Sequence, residues 1–536
     1  MRVNLWAMQN LILLSIYLLY ATVTAIGSRT ERFNEAGSIS YRAKVPKRQV
    51  PGPEATTDQW VFVVRPGYGK DPAFEDIDEY IISRLGSNAT TTKNNKVFDP
   101  ENGVAWFYAQ TSEEAAWEIM MRWNQTISTI IPFGKLNQTA NPGLNLTTPT
   151  KTAAIDDGQP SRVKRVLETW KARPELCALS KAPGAPDEDP CEYITDSTQG
   201  SGVTVYIIGS GANIDHEEFE HLDRDSVAYI FADPQNNNKR QDKFKFGQAG
   251  LPLGTAVLSK LCGTRYGVAK QVTPVIVKVT DPNGETNILH ITQGLMETYT
   301  SIVRNTKRNP NSNFIVIHTT TLDYYQLPAG ADPLKVGYEH IVKQLSNMRN
   351  VILVTGAEVN QRAVSSGKPD TYLYPAILGR DPETYPNLLV VGGVDTSYKV
   401  IDNVGDWVKV YAPAKDIAAA ARSPSNYLSW DTVALAVPAV AGLLATFMSK
   451  GKIGALEARS QLELFAYKRG DTKLHRAVAY NAVWEDVEKP PKPAYTPWDD
   501  IDWDAEFCRL CTAANGVRPI NDILWIPGDC PCKTRL

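Results

Sequence analysis

VTVYIIG, residues 203–209, is an apolar run rich in β-branched residues that shows no polar alternation and stops on a glycine. A strand of this kind is buried on both faces, which is the habit of parallel sheets covered by helices. Four more such runs follow: TPVIVKV (273–279), FIVIH (314–318), VILVTG (351–356) and LLVVGG (388–393). Helical periodicity fills the gaps. Ile288, Ile291, Leu295, Thr298 and Ile302 fall on one face of a helix predicted over 288–305, and a second is predicted over 334–348. The alternation predicts an α/β domain with an open, doubly wound parallel sheet over 193–452. AVPAVAGLLATFM (436–448) lies in a helix expected over 431–450, bracketed by Asp431 and Lys450 and interrupted by Pro438. It reads as the buried central helix of that domain and not as a membrane span.

Upstream, WVFVV (60–64), the amphipathic FEDIDEYIISRLG (74–86), VAWFYA (104–109), SEEAAWEIMMRW (112–123) and STIIP (128–132) predict a small α+β unit over 57–132. Residues 133–192 read as a linker whose first part is rich in Asn, Thr, Pro and Gly and ends on the dibasic pair Lys164 and Arg165. Downstream, 453–536 holds an amphipathic helix, the Pro-rich KPPKPAYTP (489–497) and an acidic tail with cysteines.

Arg2, an apolar stretch over 11–20 and small residues over 21–25 have the three regions of a secretory signal, so 1–25 is expected to be removed and the product to be secreted. Asn88, Asn124, Asn137 and Asn145 all stand in Asn-x-Thr sequons and are the expected glycosylation sites. In an oxidising compartment the seven cysteines imply disulfides plus one spare thiol, with Cys177, Cys191, Cys508, Cys511, Cys530 and Cys532 as pairing candidates and Cys262 free. The last four could also ligate zinc by their spacing, a reading that secretion disfavours. With 56 basic against 59 acidic residues and a net charge of −3, the chain offers no footprint for nucleic acid or an anionic membrane. No second stretch reaches spanning length.

Three ordered segments resemble the subtilisin family, nearest its fungal proteinase K branch. VTVYIIGSGANIDHEEF (203–219) resembles the first catalytic segment, LGTAVLSKLCGTRYGVAK (253–270) the histidine segment, and DTVALAVPAVAGLLATFM (431–448) the helix that begins with the nucleophilic serine. The small N-terminal unit is similar to the family's ferredoxin-like inhibitor propeptide. The resemblance implies a subtilisin-like fold, and it implies that the catalytic chemistry is gone. Gly209 stands for the aspartate, Leu253 for the histidine, Ala434 for the serine and Ala357 for the oxyanion asparagine. HTTTL (318–322) puts Thr320 and Thr321 where small residues would let a substrate approach.

Acyl transfer needs an activated nucleophile, a base within reach and donors aimed at the oxyanion. In subtilisin, loss of the triad costs roughly 10⁶-fold, a magnitude that belongs to that enzyme and travels with the resemblance. The expectation is therefore a pseudoprotease without catalytic residues, not an enzyme, with a protein or peptide partner of open identity and oligomeric state. An active serine endopeptidase using displaced groups is the alternative. Ser210, Asp431, His216 and His318 are the nearest substitutes, and none of the six histidines has a spacing that demands catalysis. Without self-cleavage the N-terminal unit should stay attached unless another protease cuts after Arg48 or Arg165. No cofactor is implied, and a structural calcium is left open.

Overall fold

A computed structural model of the chain describes residues 58–65, 105–138 and, with short gaps, 167–483, together with a few positions near residue 80. The signal over 1–25, Asn88, Asn145, Arg48, Arg165 and Cys508, Cys511, Cys530 and Cys532 lie outside the described residues.

Strand β1 (Asp58–Val64) lies between β2 (Ala105–Thr111) and β3 (Ile127–Pro132), both antiparallel to it, and α1 (Glu113–Arg122) follows β2. The run 60–64 is apolar throughout because β1 is covered twice. Trp60, Phe62 and Val64 pack with Ala116 and Ile119 of α1, whereas Val61 and Val63, with Trp106, Tyr108 and Ile131, join the core of the main domain. Ser112 caps α1 by accepting from the Ala115 amide at 3.3 Å. The other helix expected in this unit, over 74–86, is largely outside the described residues. Asn124 is exposed in the turn after α1.

Parts of 133–192, read above as linker, are folded. β4 (Asn137–Gln138) pairs its backbone with a short strand at Thr286–Asn287. β5 (Leu167–Lys171) and β6 (Glu192–Asp196) form an antiparallel pair around α2 (Pro174–Cys177), and a Cys177–Cys191 disulfide closes the loop between them. Elements this short carry no readable period, so composition hides them.

In the main sheet, β7 (Thr204–Gly209) is the third strand from one edge. It pairs in parallel with β11 (Thr273–Lys278), outside which lies β8 (Ala228–Phe231), and on its other side with β13 (Phe314–His318). β14 (Val351–Gly356), β15 (Leu388–Val394) and β16 (Val410–Pro413) continue the parallel order, and β19 (Tyr467–Lys468) and β20 (Ala477–Val478) complete nine strands. Two small hairpins stand apart, β9 (Phe244–Phe246) with β10 (Ala249–Leu251) and β17 (Ile417–Ala420) with β18 (Tyr427–Trp430). The strand at Thr286–Asn287 is β12.

Side chains of β7 alternate between two cores. Val205 and Ile207 meet α3 (Leu253–Cys262), α6 (Ala436–Gly451) and α7 (Ala455–Phe465), while Tyr206 and Ile208 meet α4 (Ile288–Arg308) and α5 (Asp332–Ser346). Helices on both faces of a parallel sheet make this the expected doubly wound α/β fold. From β7 the chain runs to the edge of the sheet at β8, steps back to β11 beside β7, then crosses to the far side of β7 at β13. At such a reversal a doubly wound sheet is expected to have its crevice, here at the carboxyl ends of β7 and β13.

The central helix starts later than predicted. Thr432 caps a 3-10 turn at Val433–Leu435 and α6 begins at Ala436, so Asp431 stands outside it and accepts from the Asp416 amide at 2.8 Å. Pro438 falls in the first turn, where a backbone N–H has no intrahelical partner to lose, and so it does not break the helix. Every residue from Ala436 to Met448 is buried. Cys262 is a buried free thiol, as expected.

Candidate functional site

The four positions of the resembled catalytic centre lie at the carboxyl ends of β7 and β14, at the start of α3 and in the turn ahead of α6. Gly209 ends β7, and a Cβ placed there would lie 3.6 Å from Thr319 Oγ1 on the segment after β13. Leu253 opens α3, whose approach is tight: a Cβ on Gly254 would stand 2.0 Å from the Gly211 carbonyl oxygen, so only glycine fits. Ala434 sits in the turn ahead of α6, and Gly356 at the end of β14 lies against Val433 of that turn. Ala357 follows, its amide donating to the Val391 carbonyl at 2.8 Å.

None of the four offers chemistry to solvent. Leu253 is 4% exposed, and Ala357 and Ala434 are fully buried. Leu253 and Ala434 belong to the core beneath α3 and α6, and Ala357 to the core on the opposite face. Thr319, Thr320 and Thr321 are buried too, so the segment presents no open edge of small residues. A cavity of ≈ 460 Å³, lined by residues including Gln199, His221, Thr264 and Lys270, opens instead at the amino ends of β7 and β11.

Polarity at the crevice comes from a residue the sequence did not single out. Asp242, buried, accepts from Ser210 Oγ at 2.6 Å through one oxygen, and from the Thr255 amide and hydroxyl, both at 2.6 Å, through the other. Ser210 Oγ in turn accepts from the Gly254 amide at 3.1 Å. Pro252 supplies no side-chain cap to α3. Asp242 and Ser210 thus satisfy the first amides of the helix from outside, where a negative charge also suits the helix dipole. Burial pushes the Asp242 carboxyl above the usual carboxylate range, opposed by its hydrogen bonds and by Lys278. No sequence period marks such a residue, because the contact depends on how the loop folds back.

The substitutes weighed from sequence are otherwise engaged. Ser210 points at Asp242 and is 3% exposed. His216 is fully buried, its Nε2 2.8 Å from the Asn426 carbonyl and its Nδ1 accepting the Glu218 amide. His318 is buried against the Tyr338 hydroxyl at 3.2 Å, and burial drives its pKa down to about 3. Asp431 binds the Asp416 amide. Among the described residues no cluster of histidine, cysteine and carboxylate side chains is arranged to hold a metal.

A second polar cluster lies at the other end of α3. Lys260, 2% exposed, sits 3.6 Å from Glu175 on α2, an ion pair longer than a hydrogen bond. Arg173 contacts the same carboxylate at 3.4 Å. Burial pulls the Lys260 ammonium down while Glu175 and Glu218 hold it up.

No family model matches the chain. It is 26% identical over 268 residues to a subtilisin-like protease 2 of Pseudogymnoascus destructans, covering 49% of this chain and 56% of that one. It is 28% identical over 280 residues to subtilisin-like protease 6 of Trichophyton rubrum (51% and 57%), and 26% over 271 residues to a cuticle-degrading serine protease of Arthrobotrys oligospora (50% and 56%). The chain spans little more than half the length of these curated relatives. A solved cold adapted subtilisin-like serine proteinase aligns with a TM-score of 0.42 at 19% identity, over 58% of this chain and 98% of that one. Over about half its length, this chain is homologous to fungal subtilisin-like proteases.

Proposed function

We propose that the protein is a secreted subtilisin-like pseudoprotease that acts by binding a protein or peptide and not by hydrolysis. The observation that carries the reading is the burial of Gly209, Leu253, Ala357 and Ala434, the positions that the resemblance matches to the family's catalytic groups. A glycine cannot orient an imidazole, a leucine cannot take a proton and an alanine cannot attack a carbonyl. Removing such groups also removes buried polarity that would need partners, so the fold loses nothing by it.

The N-terminal unit is proposed to stay with the domain. Val61, Val63, Trp106, Tyr108, Ile131 and Leu136 share one apolar cluster with Ile288, Leu289 and Ile291 of α4, and β4 occupies the edge of β12. A partner would then meet this composite surface. Intact mass of the secreted protein from a host lacking other secreted proteases should show residues 57–132 still attached, and a product trimmed after Arg165 in that host would contradict retention. For catalysis, the purified full chain is incubated with an unstructured protein substrate. Turnover equal to buffer is expected. Turnover that a serine-protease inhibitor abolishes would establish the other reading, an endopeptidase with displaced residues.

A further inference from the structure

We propose that the folded protein holds Glu218 as a neutral acid, forming with Tyr427 and Glu217 a proton-responsive latch between the turn at Glu217–Phe219 and the β17–β18 hairpin. Glu218 is 1% exposed. Its Oε1 accepts from the Tyr266 amide at 2.9 Å and the Arg265 amide at 3.1 Å, with Ser259 Oγ at 3.4 Å. Its Oε2 lies 3.3 Å from the Tyr427 hydroxyl, which also lies 2.8 Å from Glu217 Oε1. A hydroxyl carries one hydrogen and can serve only one carboxylate. With a proton on Glu218 Oε2 every atom has a role: that O–H donates to Tyr427, Tyr427 donates to Glu217, and Glu218 Oε1 keeps its amides. Glu217, whose side chain is 34% exposed, ends the chain near solvent beside Arg265 at 3.5 Å.

The carboxyl cannot relax away from this arrangement. A Cβ on Gly263 would lie 2.2 Å from Glu218 Oε1, so the end of α3 is pressed against it. Burial pushes the carboxyl up to about 7, with the two amides, Lys260 and Arg265 opposing, and also raises the Tyr427 hydroxyl. The other titratable neighbours are His216 on the same turn, His221 just after it, Cys262 on α3, Tyr266 in the following loop, and Glu175 with Arg173 at α2. Lys260 favours the anion, but its contact at 3.6 Å is to Glu175. Because the folded value lies above the ordinary 4.5, the stability from this proton is complete below about 4.5 and is lost as pH rises through about 7.

Glu218→Gln keeps a donor for Tyr427 and an acceptor for the amides, and so imitates the neutral acid. Melting of the full chain is compared between mildly acidic and mildly alkaline buffer, and the infrared carboxyl stretch is recorded in the acidic one. We expect the wild-type Tm to fall by roughly 5 °C more than that of the variant on going to alkaline buffer. A protonated-carboxyl band that the variant lacks should accompany it. Equal falls in both proteins, or no such band, would overturn the proposal. The band reads the proton directly even if the variant folds poorly.

Discussion

At its amino end α3 meets Leu253, Gly209 and the turn that carries Ala434, and the polar groups there, Asp242, Ser210 and Thr255, are closed upon one another. At its carboxyl end, two turns on, the same helix meets Glu218, Lys260 and Glu175, also buried and also bonded within the fold. Polarity persists at both ends. On the pseudoprotease reading proposed above, loss of catalysis is therefore not a general drift toward an apolar core. On that reading, groups that would face a substrate are replaced, while groups that satisfy helix ends, loops and one another remain, because a buried polar group is tolerable only when it is paired.

The largest test of this contrast is Asp242→Ala. It strips the acceptor from Ser210 Oγ and both Thr255 donors and removes a countercharge from Lys278, and should cost about 4 kcal/mol in urea unfolding. A cost under about 1 kcal/mol would mean that the amino end needs no such cap. Replacing both Cys177 and Cys191 by serine frees the loop that carries α2 toward Lys260, and should cost about 3 kcal/mol by the same measurement. Lys260→Met keeps the volume but takes from Glu175 its buried cation, leaving it only Arg173, for about 2 kcal/mol. An unchanged midpoint would show the carboxyl end to be apolar in effect. The smallest change is Ala434→Ser, which buries one hydroxyl for about 1 kcal/mol and is expected to bring no peptide hydrolysis, since Leu253 holds the position that the resemblance matches to the histidine.

The parallel strands were legible because each is a largely apolar run, and the central helix because Thr446 is the one polar residue along 436–448. Leu253, Ala357, Ala434 and Gly209 could be singled out only through the resemblance, since their proposed meaning lies in what they would replace. Asp242 could not. It sits in a polar stretch with no period, and only the return of the loop onto α3 reveals its partners. Lys260 and Glu218 were hidden for other reasons: Lys260 is one charge in an apolar helix and Glu218 one of several acids in a charged turn, and burial became visible only once α2 and β18 closed over them. The strands within 133–192 escaped because pairs of two to five residues leave no pattern.

We propose that the folded chain presents no activated nucleophile. Purified full-length protein treated with excess fluorophosphonate and weighed intact should show no added mass, with an active subtilisin labelled in the same buffer as control. Stoichiometric addition of one probe per chain, lost on unfolding before treatment, would contradict it.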